Sequence, residues 1–299
     1  EIPLIILTWP ANAINNTTKD LAPFMDNNTD GIYNPYDGDY PCINGDQMMW
    51  FVYNDTEKPH TESKSPALGI EIQVTAYAYD GSLFPDSSVM DYTGFYHFKI
   101  TNYSDTVYHD VFAGLYCDPD LGDASDDYVQ CNPNLDYGFV LNGDSVDDGA
   151  SGYGANPPIQ NIAILKGPDP DVDGLDNNHN GIVDEVDENN MMSYFRWVGG
   201  NLWHEIPQDA DDFYGYLTNG WVNDSTMTFG NMGYNPGSTN YSNFAFPGID
   251  DYNFPGQNWT MLSSGYPPDD MRFSLSSGPF TLLPGETKTL DVAYIFTRD

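Results

Sequence analysis

The sequence predicts a mainly β chain, a single-domain β-sandwich with long loops and little helix. Three observations predict it. Apolar residues alternate with a period of two in several segments, windows with apolar residues at i, i+3 and i+4 are scarce, and 28 Gly and 22 Pro interrupt the chain at short intervals. A chain of 299 residues is long enough to bury one large core.

The clearest strand covers residues 68–79, where Ile70, Ile72, Val74, Ala76 and Ala78 share one face and Glu71, Gln73 and Thr75 the other. Residues 95–101 set Tyr96, Phe98 and Ile100 against His97 and Lys99. The turn-rich link Asn102-Tyr-Ser-Asp105 leads to residues 107–117, so a hairpin is expected there. Residues 138–141, 161–165 and 192–198 read as short strands. Residues 280–296 read as strand, Pro284-Gly285 turn, strand, with Leu290, Val292, Tyr294 and Phe296 pointing inward. That ending is similar to the closing strands of immunoglobulin-like sandwiches, so the expected architecture is immunoglobulin-like or jelly-roll-like. Within the one domain, residues 1–67 form an N-terminal segment carrying a metal-binding loop, 68–198 and 269–299 supply sandwich strands, and 199–268 form a long-loop insertion whose strands the sequence does not mark. No period of 20–50 residues repeats.

The charge is lopsided: 9 Lys+Arg against 45 Asp+Glu, a formal net charge of −36, with a pI near 4.1. Such a chain has no basic groove for nucleic acid and no attraction to an anionic membrane surface. No stretch reaches the ~18 apolar residues of a membrane span, and Glu1-Ile-Pro-Leu-Ile-Ile-Leu is short and lacks the basic flank of an intact signal peptide. Aromatic residues make up 15% of the chain, which argues for a folded protein rather than an acidic disordered one. The acids are then either a solvated coat or metal ligands, and their spacing decides.

Calcium takes six to eight oxygens, and a loop delivers them from positions 1, 3, 5, 7 (a carbonyl), 9 and 12, with Gly at 6 for the sharp turn. Asp26, Asn28, Asp30, Gly31, Ile32, Asn34 and Asp37 fill that template in order. A second match runs through Asp176, Asn178, Asn180, Gly181, Ile182, Asp184 and Asp187. Asp169, Asp171 and Asp173 precede it and would share Asp176, placing two ions side by side as in thrombospondin-type-3-like arrays. Pro23 and Pro168 precede the two regions, no amphipathic helices flank them, and position 12 is Asp rather than Glu. Weak to moderate affinity and a structural role are therefore expected, not an EF-hand sensor. The alternative is Asx-rich turns that hold no metal. A third acidic cluster offers Asp118, Asp120, Asp126 and Asp127, either converging on a cation or forming a solvated loop.

Cys117 and Cys131 bracket that cluster, and a disulfide between them would staple it in an oxidising compartment. Cys42 is left over; Cys42 with Cys131 is the alternative pairing. Asn-x-Ser/Thr sequons occur at Asn54, Asn102, Asn223, Asn240 and Asn258. No zinc-protease, serine-hydrolase, phosphate-loop or nicotinamide motif is present. His97 and His109 read as a surface pair. Trp197, Trp203, Trp221 and Trp259 are candidates for stacking on sugars or, more simply, for packing.

Several stretches resemble a family of secreted Bacteroidetes surface and extracellular proteins exported by the type IX secretion system. They include Trp9-Pro-Ala-Asn12, the run from Ala22 through Asp26 and Asp30 to Pro35, and Gly38-Asp-Tyr-Pro-Cys-Ile-Asn-Gly-Asp-Gln47. Met49-Trp-Phe-Val-Tyr-Asn-Asp55, Leu68-Gly-Ile-Glu71, Gly114-Leu-Tyr-Cys-Asp-Pro-Asp-Leu-Gly122 and Asp126-Asp-Tyr-Val129 follow. Gly152-Tyr-Gly-Ala-Asn-Pro-Pro158, Asp173-Gly-Leu-Asp-Asn-Asn178 and Arg272-Phe-Ser-Leu-Ser-Ser-Gly-Pro-Phe280 complete the set, in order along nearly the whole chain. The resemblance implies export and surface display, with a C-terminal sorting domain lying beyond Asp299, and carries no catalytic residues. Asp105-Thr-Val, Asp144-Ser-Val and Asp224-Ser-Thr resemble the O-glycosylation signal of such proteins, with Thr106, Ser145 and Ser225 as acceptors.

The expected function is that of a secreted, calcium-stabilised structural or adhesive cell-surface protein, not an enzyme, binding two or more Ca²⁺ ions and associating with itself or with other surface proteins, as in a filament or appendage. The alternative is a polysaccharide-binding module or carbohydrate-active enzyme with glycan partners.

Overall fold

The computed structural model describes residues 1–11, 21–83, 89–172, 174–176, 181–184, 191, 193–197 and 206–298. In chain order these form α1 (Leu4–Leu7), β1 (Phe24–Met25), β2 (Tyr40–Pro41), β3 (Gln47–Asn54), β4 (Ile70–Ala78), β5 (Thr93–Asn102), β6 (Tyr108–Cys117), β7 (Asp127–Asn132), β8 (Tyr137–Asn142), β9 (Val146–Asp147), β10 (Gly154–Ala155), β11 (Ile159–Lys166), β12 (Ser193–Trp197), α2 (Ala210–Leu217), β13 (Arg272–Leu282) and β14 (Thr287–Thr297). The fold is mainly β, as expected: a seven-stranded antiparallel sheet, β3-β4-β5-β14-β11-β8-β7, faces a three-stranded antiparallel sheet, β12-β13-β6.

Alternation explains the packing. Val74, Phe98 and Leu290 stand in register across β4, β5 and β14, and Tyr96, Val292 and Ile164 form the next row across β5, β14 and β11. Against them the smaller sheet sets Tyr194, Phe273, Leu275, Leu115 and Cys117 in one core. Gly138 is required where β8 meets the smaller sheet, because a Cβ there would lie 2.3 Å from the Tyr194 ring. The opposite face of the large sheet mixes polar pairs with aromatic ones: His97 Nδ1 meets Asp291 Oδ1 at 2.7 Å, Thr101 and Thr287 share a hydroxyl hydrogen bond of 2.8 Å, and Tyr77 stacks on Phe95 with ring centroids 5.4 Å apart.

One expected pairing is corrected. β5 and β6 form no hairpin, since β5 lies in the large sheet and β6 in the small one; β13 and β14 are the expected strands on either side of the Pro284-Gly285 turn, and they too lie in different sheets. Both connections cross between sheets at one corner, held by the fully buried Asn102. Its Nδ2 donates to Thr106 O (2.8 Å) and Leu282 O (3.2 Å), and its Oδ1 accepts from Ser104 N (2.9 Å). Its carbonyl accepts from Gly285 N at 2.8 Å. His97 and His109 are consequently on different sheets and form no pair.

β3 extends the sandwich into the N-terminal segment that carries the expected metal-binding loop. Residues 206–271 pack as a layer on the sandwich: Trp221, Met227, Phe244, Phe246, Trp259 and Met261 enter the core. This layer also covers two strand edges, with Cys131 N donating to Phe246 O (3.4 Å) beside β7 and Tyr194 N to Asn243 O (3.0 Å) beside β12. Among the described residues, no helix is long and apolar enough to cross a membrane.

Candidate metal centre

The acids of the third cluster meet at one end of the sandwich. The segment after β6 brings Asp118, Asp120, Asp123 and Asp126, the start of β7 brings Asp127, the stretch around β9 brings Asp144, Asp147 and Asp148, and the approach to β13 brings Asp269 and Asp270. Backbone bonds tie these pieces together: Gly143 N donates to Asp126 O (2.5 Å) and Asp269 N to Asp127 O (3.1 Å). Asp147, itself buried, accepts from Asp123 N (3.0 Å) and Tyr153 N (2.8 Å). Gly122 makes room for it with a positive φ of 70°; a Cβ there would fall 1.8 Å from Asp147 Oδ2.

The four carboxylates grouped from sequence divide into two subsets. Asp118 and Asp120 join Asp270, and among the described residues only these three bring ligand atoms within 4.8 Å of one another. At that separation each pair of charges repels by about 1 to 3.5 kcal/mol, depending on the effective dielectric. Arg272 offsets part of this, with Nε 3.3 Å from Asp118 Oδ2 and Nη1 3.1 Å from Asp270 Oδ2. Asp126 instead faces Asp147, Asp123, Asp144 and Asp148, and Asp127 lies between the subsets.

Asp127 is the most constrained member, at 1% exposure. Its Oδ2 accepts the Leu121 N–H at 3.0 Å. Its Oδ1, together with Asp126 Oδ1 and Asp270 Oδ1, is buried with no hydrogen-bond partner among the described residues. Burial, reinforced by Asp126, Asp147 and Asp120, pushes the Asp127 carboxyl up to about 8. Burial and then the neighbouring acids, Asp147 first, raise Asp126 as well. Orphaned carboxylate oxygens in a negative pocket cost free energy unless a proton or a cation meets them. Among the described residues the ligand atoms that converge, those of Asp118, Asp120 and Asp270, are all oxygens, which suits a hard divalent cation and calcium's tolerance of irregular coordination.

The loop at 26–37 is closed by its own side chains. Asp26 Oδ1 accepts from Thr29 N and Oδ2 from Gly31 N, both at 2.7 Å. Asn28 Oδ1 accepts from Asp30 N (3.0 Å) and Asp30 Oδ1 from Ile32 N (2.7 Å). Asn34 Nδ2 donates to Asp37 Oδ2 at 2.5 Å. Asp39, which lies outside the expected ligand set, is buried and receives Asn27 N and Asn34 N, both at 2.9 Å, cinching the loop. The second loop repeats the same closure between its first and sixth positions: Gly181 N donates to Asp176 Oδ2 at 2.9 Å. Both glycines have positive φ, 76° for Gly31 and 93° for Gly181. Ile32 and Ile182 are exposed.

Asp184 Oδ1 accepts from Gly174 N at 3.0 Å, whereas Asp173, Asn178, Asn180 and Asp187 fall outside the described residues. Asp169 and Asp171 are engaged by the sandwich. Asp169 pairs with Lys166 at 3.1 Å, and Asp171 receives both the backbone N–H (3.0 Å) and the hydroxyl (2.7 Å) of Thr281.

The expected Cys117–Cys131 disulfide is corrected: both are free thiols, as is Cys42. Cys117 ends β6 in the small sheet while Cys131 sits in β7 of the large one, donating to Ala245 O at 3.4 Å. Burial, with Asp118 adding, pushes the Cys117 thiol up to about 12; burial likewise raises Cys131. Trp221 and Trp259, candidates for sugar stacking, are each 2% exposed, with indole N–H groups donating to Gly233 O and Asn231 O. Trp203 and the Trp197 side chain fall outside the described residues. Of the glycosylation acceptors, Thr106 and Ser145 are exposed and Ser225 is half-buried. Comparison with protein-family models and with curated proteins finds no match for the chain.

Proposed function

We propose that the chain is a secreted, calcium-stabilised structural or adhesive protein of the cell surface that assembles with copies of itself into a filament or appendage. The observation that carries the calcium reading is the Oδ1 of Asp127 and of Asp126, each buried without a hydrogen-bond partner among the described residues and close to further acids, on a chain of net charge −36. A divalent cation would supply the missing partner and remove the repulsion together. The two Asp-to-Gly closures add supporting loops in which backbone and Asx groups hold the turn in shape. Export and surface display rest on the resemblance to type IX secreted proteins.

The test is thermal melting of the whole chain in EGTA and in excess CaCl₂. A ligand held only by the native state adds about 2.7 kcal/mol at 100 times its Kd, which for a chain of this size raises Tm by about 5 °C. Superimposable curves would remove calcium from the proposal.

A further inference from the structure

The small sheet leaves part of the large one uncovered, and the uncovered part adjoins a free strand edge. Among the described residues β6 pairs with β13 alone, and its other edge has no neighbouring strand. A cavity of about 690 Å³ lies beside that edge: all of residues 108–115 line it, residues of both faces of the strand, together with Tyr214 and Leu217 of α2, the Tyr214 hydroxyl donating to Asp110 O at 2.9 Å. The floor is the inner face of the large sheet, with Ile72, Phe98, Ile100 and Leu290. β3 beyond is an exposed apolar margin, where Met49, Phe51 and Tyr53 all stand in solvent.

An apolar floor alone would suit any greasy ligand. A strand edge beside it requires a partner with backbone donors and acceptors at strand spacing, which is a polypeptide. Asp55 and Asp110 are among the residues that line it, and the chain carries −36 overall, so an acidic segment would be repelled. The segment at residues 2–7, Ile-Pro-Leu-Ile-Ile-Leu, has no charged side chain. It makes the single turn α1, which buries none of its residues and is held to the rest of the chain by the Tyr33 hydroxyl, donating to Ile6 O at 2.6 Å; Leu4 is 74% and Ile5 68% exposed. One turn of helix is too short to be stable by itself, and Ile-rich sequence favours an extended form.

We propose that residues 2–7 of a second copy dock as an added strand on the free edge of β6, covering the trough. This rests on the self-assembly half of the proposed function. The two surfaces differ, so the contact is head-to-tail, and it propagates into a filament unless the rotation closes a ring.

Sedimentation velocity of the whole chain in CaCl₂ over a wide concentration range tests it. The comparison is with the Leu4→Glu/Ile5→Glu variant and with wild type plus excess synthetic peptide of residues 1–9. Both substituted side chains are exposed in the monomer, so an unchanged Tm certifies the fold. Wild type is expected to associate, the variant to associate about 100-fold more weakly or not at all, and the peptide to cap wild type as monomers. Variant association equal to wild type, or no competition by the peptide, overturns the docking and leaves assembly standing through another face. Monomers at every concentration overturn docking and assembly together, even if the peptide binds. Palmitate occupying the trough while the peptide does not would make it a small-molecule pocket and likewise overturn the proposal.

Discussion

Asp127 places one carboxylate oxygen on the Leu121 N–H, and the other has no donor among the described residues. The pH dependence follows from linkage. Its native pKa, pushed up to about 8, lies above the ordinary 3.8, so between those values the native state holds a proton that the unfolded chain releases. Without calcium, this contribution is full below about pH 4 and is lost as pH rises through 8. On the proposed reading, bound calcium would replace the proton and remove the loss. Asp127→Asn should therefore flatten the decline seen in EGTA and shrink the calcium response; melting of both proteins across that window checks it. An equally steep decline in the variant would assign the pH effect elsewhere. The cysteines give a second residue-scale test. Cys117 and Cys131, buried and with raised pKa, should resist alkylation in the native state, and all three thiols should react in denaturant without reductant. A single reactive thiol under those conditions would restore the disulfide. Asp118, Asp120, Asp126 and Asp127 were legible as acids close in sequence. Asp270 and Asp147 were not, because what brings them in is strand order, which no local spacing encodes.

Strand interiors were the legible part at the scale of elements. The alternation at 68–79 and 95–101 corresponds to β4 and β5, since one inward face repeats every second residue. The connections were not legible: a four-residue polar link between two alternating strands suits either a hairpin or a sheet crossing. Asn102 settles the matter through bonds to Thr106, Leu282 and Ser104. Asn102→Ala should cost about 2–3 kcal/mol by stranding buried carbonyls and freeing the corner, measured by urea unfolding. A cost below about 0.5 kcal/mol would show that the corner holds without it. The helix α2 carried an unread signal. Asp209 caps it, accepting from Asp212 N, while Asp212 Oδ2 accepts from Gln208 N, a relative of the capping box that marks a helix start in a Gly- and Asn-rich stretch.

For the whole molecule, a net charge of −36 is destabilising by self-repulsion, and the acids are not spread evenly. Loops from three parts of the chain gather them at one end of the sandwich, while the open trough beside β6 presents an apolar surface. Calcium would rigidify the first region and self-association would cover the second. These are separable claims, since the Asp127 and Leu4/Ile5 substitutions act on different surfaces. Isothermal titration of CaCl₂ into the EGTA-stripped chain tests the central claim most directly. The expected result is saturable binding of two or more ions, with one fewer in Asp127→Asn. No saturable heat, or the same stoichiometry in the variant, would contradict it.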